Sequence, residues 1–470
     1  MSFENLKKIH FIGIAGIGMS ALAAMAKKLG YQVTGSDGAA YPPATTVLAE
    51  NNIIFFEDYQ EEHISDQDLV VIGAGQEPAN NIEVRAVMRK GIRIVSFAEL
   101  LYFFTKDKFR IVITGTHGKT TTASLIAWAL NSSDQKTGFF LGGYSKDLKT
   151  NYALSASQNF VIEGDEYYSS FFDKRPKFLH YRPALLVITN LDMDHYDYYK
   201  NLTDLVDKFR KCIKMLPPEG VIIACHDDKN VRKLLKDSDH KIIWYGLKGK
   251  QLNWKGEKIT YADNLMRFTA NNLAAKEKVP VELKILGAHN ALNCLAAIAV
   301  LDHLKIPYDA FKKSLFDFQG SQRRFEKRGE IGGVMVIDDY AHHPTAVKAT
   351  LDTARSVFPN RRIWAIFEPH TFSRTKATIN QLAQSFGSAD QVIIPDIYPA
   401  REKSKKGNVT ASMVVDEIKK NQQNVYYLPT KEKVLAYLVK ETRPQDVVIV
   451  MAVGNFNQIA DLLLERLSSK

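Results

Sequence analysis

Along the first hundred residues, apolar runs of strand length alternate with segments whose apolar positions recur at helical spacing. Residues 9–14 read as a buried strand, 19–29 as a helix, 32–35 and 69–72 as strands, and 93–95 as a last short strand. Such alternation predicts a parallel sheet with helices on its faces. A second unit opens near Lys108 with a strand over 110–114 and adds strands at 160–163, 184–190 and 220–224. Residues 244–286 are more polar and alternate, which predicts a small antiparallel elaboration before a helix over 289–304. From about Phe325, strands at 334–338, 362–367, 391–395 and 446–451 again alternate with helices and predict a doubly wound unit. The expected fold is an α/β chain of three domains, 1–107, 108–322 and 323–470.

Composition changes this picture little. The 470 residues are 45% apolar and 24% charged, enough for a core in each domain. The formal net charge of +10 is spread along the chain with no basic stripe interleaved with aromatics, so no nucleic-acid partner is expected. Cys212, Cys225 and Cys294 lie far apart without metal-ligand spacing and read as reduced packing residues of a cytoplasmic protein. Lys7 and Lys8 ahead of the apolar run 11–26 have the outline of a secretory signal, but Gly13, Gly16 and Gly18 interrupt it and Lys27 and Lys28 follow. A strand, a glycine turn and a helix account for the same residues. No other segment approaches transmembrane length, so no membrane partner is expected. The four basic residues within 401–406 read as an exposed loop.

The first chemical signal is Gly13-Ile14-Ala15-Gly16-Ile17-Gly18 between strand and helix, with Asp37 at the end of the next strand. Glycines there let the backbone approach a pyrophosphate, the helix N-terminus offers N–H donors, and Asp37 is placed to accept from a ribose hydroxyl. A dinucleotide oxidoreductase would use the same arrangement, and so would a tight turn without a ligand. The second signal is a strand running into Gly115-Thr116-His117-Gly118-Lys119-Thr120, with Thr121 and Thr122 opening a helix. Loop N–H groups can hold phosphate oxygens, Lys119 can reach the β and γ phosphates, and the Thr120 hydroxyl can coordinate Mg²⁺. The two glycines are closer together than in the general pattern.

In the same unit Glu163 ends one strand, ahead of Asp165 and Glu166, and Asp194-His195 follows another. Ligands of open α/β sheets bind beyond the carboxyl ends of strands, so these ends can converge with the phosphate loop. A carboxylate suits Mg²⁺. His195 reads equally as a metal ligand or a loop histidine, and Asp165, Glu166 and Asp194 read as ligands or as local caps. Asn290 and Asn293 would share a helix face, where amides can bind an adenine edge, although capping explains Asn290 as well. Arg323 and Arg324 open the third unit. Asp338-Asp339-Tyr340-Ala341-His342-His343-Pro344 then crowds acids and histidines at a strand's carboxyl end, with Pro344 starting a helix. Glu368, His370 and Arg374 lie beyond the next strand and could bind a carboxylate-bearing substrate.

Taken in order, the glycine turn, the short Gly115-to-Thr120 loop, Glu163, Asp194-His195, His289-Asn290-Ala291-Leu292-Asn293, Arg323-Arg324-Phe325 and the Asp338-to-Pro344 motif resemble the Mur ligases of bacterial cell-wall synthesis. The resemblance covers essentially the whole chain. It implies an N-terminal Rossmann-like domain for a UDP-sugar, a central P-loop ATPase domain, and a C-terminal Rossmann-like domain for the incoming amine. It implies that Gly115, Thr116, His117, Gly118, Lys119, Thr120, Thr121, Asn290, Asn293, Arg324 and Asp339 bind ATP. Gly13, Ala15, Gly16, Ile17, Gly18, Met19, Ser36 and Asp37 would bind the UDP-sugar, and Thr120, Glu163 and His195 would serve Mg²⁺. His342, His343, His370 and Arg374 would meet the amine, while Lys119, Glu163, His195 and Arg324 are the implied catalytic residues.

In the implied reaction, ATP phosphorylates the lactyl carboxylate of UDP-N-acetylmuramic acid. The amine then attacks the acyl phosphate, and a tetrahedral intermediate expels phosphate. Residues 35–43 and 171–181 resemble the recycling member of the family, which adds the tripeptide L-alanyl-γ-D-glutamyl-meso-diaminopimelate. Residues 368–375 resemble the L-alanine-adding member instead. The tripeptide is the expected amine and L-alanine the alternative. A non-catalytic UDP-sugar-binding protein would not need Lys119, Thr120, Glu163 and His195 together.

Overall fold

The computed structural model describes residues 6–194, 198–400, 402 and 409–469. His195 lies outside the described residues, as does the basic run 401–406 apart from Glu402.

The first sheet holds β1 (Lys8–Ile12), β2 (Gln32–Ser36), β3 (Ile54–Phe56), β4 (Leu69–Ile72) and β5 (Ile94–Ser96), all parallel, in the order β3-β2-β1-β4-β5. Helices α1 (Ile17–Lys28), α2 (Ala44–Glu50), α3 (Ile82–Lys90) and α4 (Phe97–Thr105) connect or follow these strands. β4 is buried at every position, which is why it reads as an unbroken apolar run. β3 gave no such signal: it is three residues long and Ile54 is exposed. α3 shows how local chemistry sets a boundary. The Asn81 side chain accepts from the Glu83 and Val84 N–H groups at its start, and Gly91 ends it in a left-handed conformation.

The second sheet contains β6 (Phe109–Thr114), β7 (Gly138–Ser145), β8 (Thr150–Ala153), β9 (Asn159–Glu163), β10 (Leu185–Ile188), β11 (Val221–Cys225) and β12 (Lys241–Gly246), in the order β8-β7-β9-β6-β10-β11-β12. Only β8 runs against its neighbour. α5 (Lys119–Ser132) follows β6, and α6 (Leu202–Ile213) and α7 (Lys229–Leu235) follow β10 and β11. Trp244, expected to begin an antiparallel region, instead pairs in parallel with Ala224. β13 (Trp254–Ala262), β14 (Leu265–Asn272) and β15 (Glu277–Leu283) come next and lie side by side; burial alternates along β15, as the polar pattern required. α8 (Ala288–His303) and α9 (Tyr308–Asp317) complete this region.

The third sheet is built from β16 (Glu326–Ile331), β17 (Val334–Asp339), β18 (Arg362–Phe367), β19 (Gln391–Ile394), β20 (Val425–Tyr427) and β21 (Asp446–Met451), in the order β16-β17-β21-β18-β19-β20. β16 is the antiparallel edge and the rest are parallel. α10 (Pro344–Val357), α11 (Phe372–Ala383), α12 (Ala411–Lys419), α13 (Lys431–Glu441) and α14 (Ile459–Ser468) interleave with the strands. Two separate apolar clusters form around this sheet, one with α10, α11 and α12 and one with α13 and α14, the signature of a doubly wound domain.

Compactness divides the chain into two units, one of residues 1–255, 272–277 and 293–315, the other of 256–271, 278–292 and 316–470. The first two sheets share one unit and one apolar core, in which the Phe97 and Phe140 rings meet edge to face with centroids 5.2 Å apart. The three cysteines are unpaired and buried, and burial pushes the Cys212 and Cys225 thiols up to about 12, so they act as apolar packing groups. Among the described residues no helix is long and apolar enough to cross a membrane.

Candidate active site

β1 delivers the chain into a turn where Gly13 takes a φ of +82°, a conformation that a Cβ would oppose. The Gly13 and Ile14 N–H groups both donate to the Ser36 carbonyl, at 2.8 and 3.1 Å. Gly16 is the N-cap of α1, Ile17 opens its first turn exposed, and Met19 packs below. A Cβ on Gly18 would stand 3.3 Å from the Phe97 ring, so this glycine serves the packing of α1 on α4. Asp37 accepts from the Ala15 N–H at 2.8 Å and from the Tyr59 hydroxyl at 3.1 Å. The acid expected to accept from a ribose hydroxyl is thus already accepting from the protein, where it ties the turn together.

Two supporting residues carried no short-range signal. The Gln76 side chain covers Gly13 and donates to the Tyr59 oxygen at 3.0 Å. Glu83, fully buried, receives the Ser36 hydroxyl and lies 2.7 Å from His63 Nδ1. Burial would push Glu83 upward, but hydrogen bonds from His10, Ser36 and His63 outweigh it and hold the carboxyl below its usual range. Both residues lie about sixty or more positions beyond the turn, so only the parallel sheet brings them beneath it.

The phosphate loop is anchored from the neighbouring strand. The Thr116 N–H donates to the Asn190 carbonyl at 3.1 Å and the His117 N–H to Asn190 Oδ1 at 2.8 Å. Asn190 Nδ2 and Thr189 Oγ1 return bonds to the His117 carbonyl at 2.9 and 2.7 Å. These two loop N–H groups therefore fix the loop, which leaves the first turn of α5, whose N–H groups have no intrahelical acceptor, as the part that could hold an anion. Gly115 has a φ of +120°, and a Cβ there would lie 2.2 Å from Thr189 Oγ1 and 2.8 Å from the Asn190 carbonyl. Gly118 caps α5 at φ +82°, with Asn293 Oδ1 filling the place of its Cβ. Asn293 also accepts from Thr122 at 3.2 Å, so this amide packs on the phosphate loop itself. Thr121 is buried in the first turn.

Lys119 Nζ donates to the Gly115 and Thr116 carbonyls at 2.6 and 3.1 Å and to Glu166 Oε2 at 2.9 Å. Burial works against its charge, but Glu166, Asp165 and Glu163 overcome that and raise it above the ordinary lysine range. Glu166, one of the acids left open between ligand and cap, is thus the ion partner of the loop lysine. Asp165 pairs with Lys177 at 2.9 Å. The Thr120 hydroxyl donates to Glu163 Oε1 at 2.7 Å, and the Gly142 N–H to Glu163 Oε2 at 2.6 Å. Burial pushes the Glu163 carboxyl upward in spite of these bonds.

Gly115→Ala is expected to displace the loop, because a left-handed backbone and three atoms under 3 Å leave a methyl no room. Strain of about 1–3 kcal/mol corresponds to roughly 5- to 150-fold weaker nucleotide binding. Calorimetric titration with a nonhydrolysable ATP analogue measures it, and unchanged affinity would contradict the anchored-loop geometry.

In the second unit the predicted residues gather at the carboxyl ends of β17 and β18. Asp339 is buried and accepts from the Phe325 and Ala341 N–H groups, both at 2.7 Å, which pins the Arg323-to-Phe325 segment to β17. Burial raises its carboxyl, with Arg324 opposing. The Arg323 and Arg324 guanidinium groups lie 5.2 and 5.5 Å from the Tyr340 ring centre. Rings then follow one another from Tyr340 to His342, His370 and Tyr398, with centroids 5.4 to 5.8 Å apart. Arg374 Nη1 lies 3.0 Å from His370 Nδ1. His343 differs: it is buried as the N-cap residue of α10, ahead of Pro344. Asn290 turns its amide back to the Leu286 carbonyl at 2.8 Å, and burial, then Arg324, lowers its neighbour His289 to about 4.

Known families match along nearly the whole chain. The Mur ligase family catalytic domain matches residues 8–109, the Mur ligase middle domain 113–301, and the Mur ligase glutamate ligase domain 323–454. Over 466 residues the chain is 37% identical to a UDP-N-acetylmuramate–L-alanine ligase of Acetivibrio thermocellus, covering 98% of this chain and 96% of that protein. A solved UDP-N-acetylmuramate-alanine ligase from Thermotoga maritima superposes with a TM-score of 0.78 at 26% identity, covering 98% of this chain and 99% of that one. A murein peptide ligase from Psychrobacter arcticus gives a TM-score of 0.70 at 28% identity over 99% of both chains. With a phosphate loop of this build and likeness extending end to end, the chain belongs to the Mur ligase family and is an ATP-dependent, ADP-forming amide-bond ligase.

Proposed function

We propose that this ligase joins L-alanine to the lactyl carboxylate of UDP-N-acetylmuramic acid through an acyl phosphate. The observation that carries the reading is the end-to-end likeness to proteins named for that reaction. The His370–Arg374 pair supports it, since a guanidinium held by a neighbouring ring suits the carboxylate of a small amino acid. This reverses the order of the two amines expected from residues 35–43 and 171–181. The tripeptide is the second reading, favoured by the second of those segments, where Asp173 is clamped by Arg175 at 2.8 Å and by His180 at 2.9 Å.

The turn of Gly13, Ala15, Gly16, Ile17, Gly18 and Met19, with Ser36 and Asp37, would receive the UDP-sugar. Lys119 would neutralise the transferring phosphoryl group, with Gly115 to Thr121 and Asn293 shaping its cradle. Thr120 and Glu163 fit Mg²⁺: they offer two hard oxygens 2.7 Å apart, and a cation would restore the carboxylate charge that burial opposes. Mg²⁺ bound there would offset charge on the β and γ phosphates. His195 is proposed as a further ligand, Asn290, Arg324 and Asp339 as nucleotide-binding, and His342, His343, His370 and Arg374 as meeting the amine.

The deciding measurement is phosphate release with ATP, Mg²⁺ and UDP-N-acetylmuramic acid, comparing L-alanine with the tripeptide. L-alanine is expected to support release, with kcat/KM at least tenfold above that for the tripeptide. Release with the tripeptide alone would replace this reading by the second one. Silence with both would sink the proposed sugar substrate.

A further inference from the structure

One buried carboxylate at the carboxyl end of this sheet keeps an oxygen that no described residue matches. Glu368 follows β18 directly and is only 7% exposed, yet its Oε2 has no hydrogen-bond partner among the described residues. Its backbone N–H donates to the Met451 carbonyl at 3.0 Å, and the Gly454 N–H reaches its carboxyl group. An enclosed acceptor left unmatched costs free energy unless something else uses it. Two charged groups act on it, Lys431 at the start of α13 and Arg323 ahead of β16. Both have other contacts: Lys431 donates to the Asn455 carbonyl at 2.7 Å, and Arg323 pairs with Asp338 at 3.2 Å.

The chain beyond Glu368 is itself held in an unusual shape. Thr371, a β-branched residue, sits at φ +59° and ψ 145°, where such side chains are strained. The strand-like pairing of this segment with Tyr398 keeps it there, through Thr371 N–H to Tyr398 O at 2.8 Å and Tyr398 N–H to Pro369 O at 2.9 Å. Strain maintained against its cost is a mark of a working loop. The strained residue lies between Glu368 at the end of β18 and Arg374 in the first turn of α11, so an acid and a guanidinium stand six residues apart on either side of it. That is the pair of charges needed to orient an amino acid by its ammonium and carboxylate groups.

We propose that Glu368 receives the ammonium group of the incoming amino acid and takes one proton from it before the amine attacks. The inference rests on the ligase reading above. The ammonium loses a proton to Glu368 Oε2, and the freed nitrogen lone pair forms the C–N bond to the acyl carbon. The C–O bond to the phosphoryl group breaks, phosphate leaves with that electron pair and accepts the second amine proton, and Glu368 returns its own proton to water. An acid with this task works best near the operating pH, and burial, against Lys431 and Arg323, pushes Glu368 up to about 7.

Glu368→Gln keeps the shape and removes the base. Amide formation with the amino acid is expected to fall about a hundredfold or more, and the wild-type rise of kcat/KM for the amine through about pH 7 should flatten. The same variant is assayed with hydroxylamine, which is already neutral at that pH and traps the acyl phosphate as a hydroxamate. Hydroxamate formation should stay within a few-fold of wild type, and Glu368→Asp should recover part of the amide rate. An unchanged pH profile in Glu368→Gln, or equal losses of hydroxamate and amide, would overturn the assignment. A wild-type enzyme that forms no hydroxamate from ATP and the UDP-sugar would instead remove the acyl-phosphate reading on which the assignment stands.

Discussion

Lys119→Ala should lose at least about a thousandfold in ATP-dependent phosphate release while the affinity for UDP-N-acetylmuramic acid stays nearly unchanged. The ammonium group is the positive charge at the mouth of the phosphate loop, with the Gly115 and Thr116 carbonyls and Glu166 holding it within 3.1 Å. Removing it does more than delete a donor. Glu163, Asp165 and Glu166, whose fields keep Lys119 charged, would then face an incoming triphosphate with nothing to offset them. The glycine turn proposed for the UDP-sugar is built separately, from Ser36, Asp37, Tyr59 and Gln76, none of which touches this lysine.

The variant also strands Glu166, which is fully buried, so part of any loss would come from instability. Removing one member of a buried pair costs about 3–5 kcal/mol. The double variant Lys119→Ala with Glu166→Gln removes both charges and should recover much of that stability without recovering turnover. Phosphate release, isothermal titration with the UDP-sugar and a melting curve on each variant separate the two effects. Turnover that survives Lys119→Ala would refute the role given to the loop lysine.

Trp364→Ala is expected to lower the unfolding transition of the third sheet by about 6–20 °C. Trp364 is one of the largest fully buried side chains, at 1% exposure. Its Nε1 donates to Asp446 Oδ2 at 3.0 Å, and the Arg362 guanidinium lies 5.1 Å from its ring centre. Asp446 also takes Arg362 at 2.7 and 2.9 Å and the Arg443 N–H at 2.9 Å. The indole thus joins β18 to β21 at their amino ends and fills the space under α13, where Tyr437 meets it edge on. Truncating a buried tryptophan costs about 3–5 kcal/mol, which at about 2–4 °C per kcal/mol for a domain of this size gives the shift quoted. The residues proposed to meet the amine lie at the opposite, carboxyl ends of the same strands, so kcat at low temperature should fall little. Calorimetry reads the transition, and one that does not move would mean the core repacks around the loss.

The strand, loop and helix that carry Gly115 to Thr120 were legible in the sequence because their grammar is local. A buried strand, two glycines in left-handed backbone, a lysine and a hydroxyl residue follow one another within a dozen positions, and each is needed where it stands. Pro344 at the first position of α10 and the apolar runs of β4, β17, β18 and β21 were legible for the same reason. β7, β16 and β20 were not. β7 carries Gly142 and Gly143, β16 is a polar edge strand, and β20 has three residues, so none shows the period that announces a strand. β16 pairs with the next strand, β17, while β20 takes its hydrogen bonds from β19, more than thirty residues earlier.

What the sequence determined by itself was the α/β class, the positions along the chain of most main strands, and the residue types at the glycine turn and the Gly115-to-Thr120 loop. Those depend on periodicity and on contacts a few residues long. Tertiary structure decided which acid answers which cation and which donor is spent on the scaffold. Glu166 rather than Glu163 bonds Lys119, Asn190 consumes the Thr116 and His117 N–H groups, Glu83 sits under the glycine turn, and Glu368 is left with an unmatched oxygen. Parallel strands place residues tens of positions apart at one sheet edge, and burial there multiplies the cost of any unpaired charge. Pairing and protonation are therefore properties of the folded edge, which no local pattern encodes.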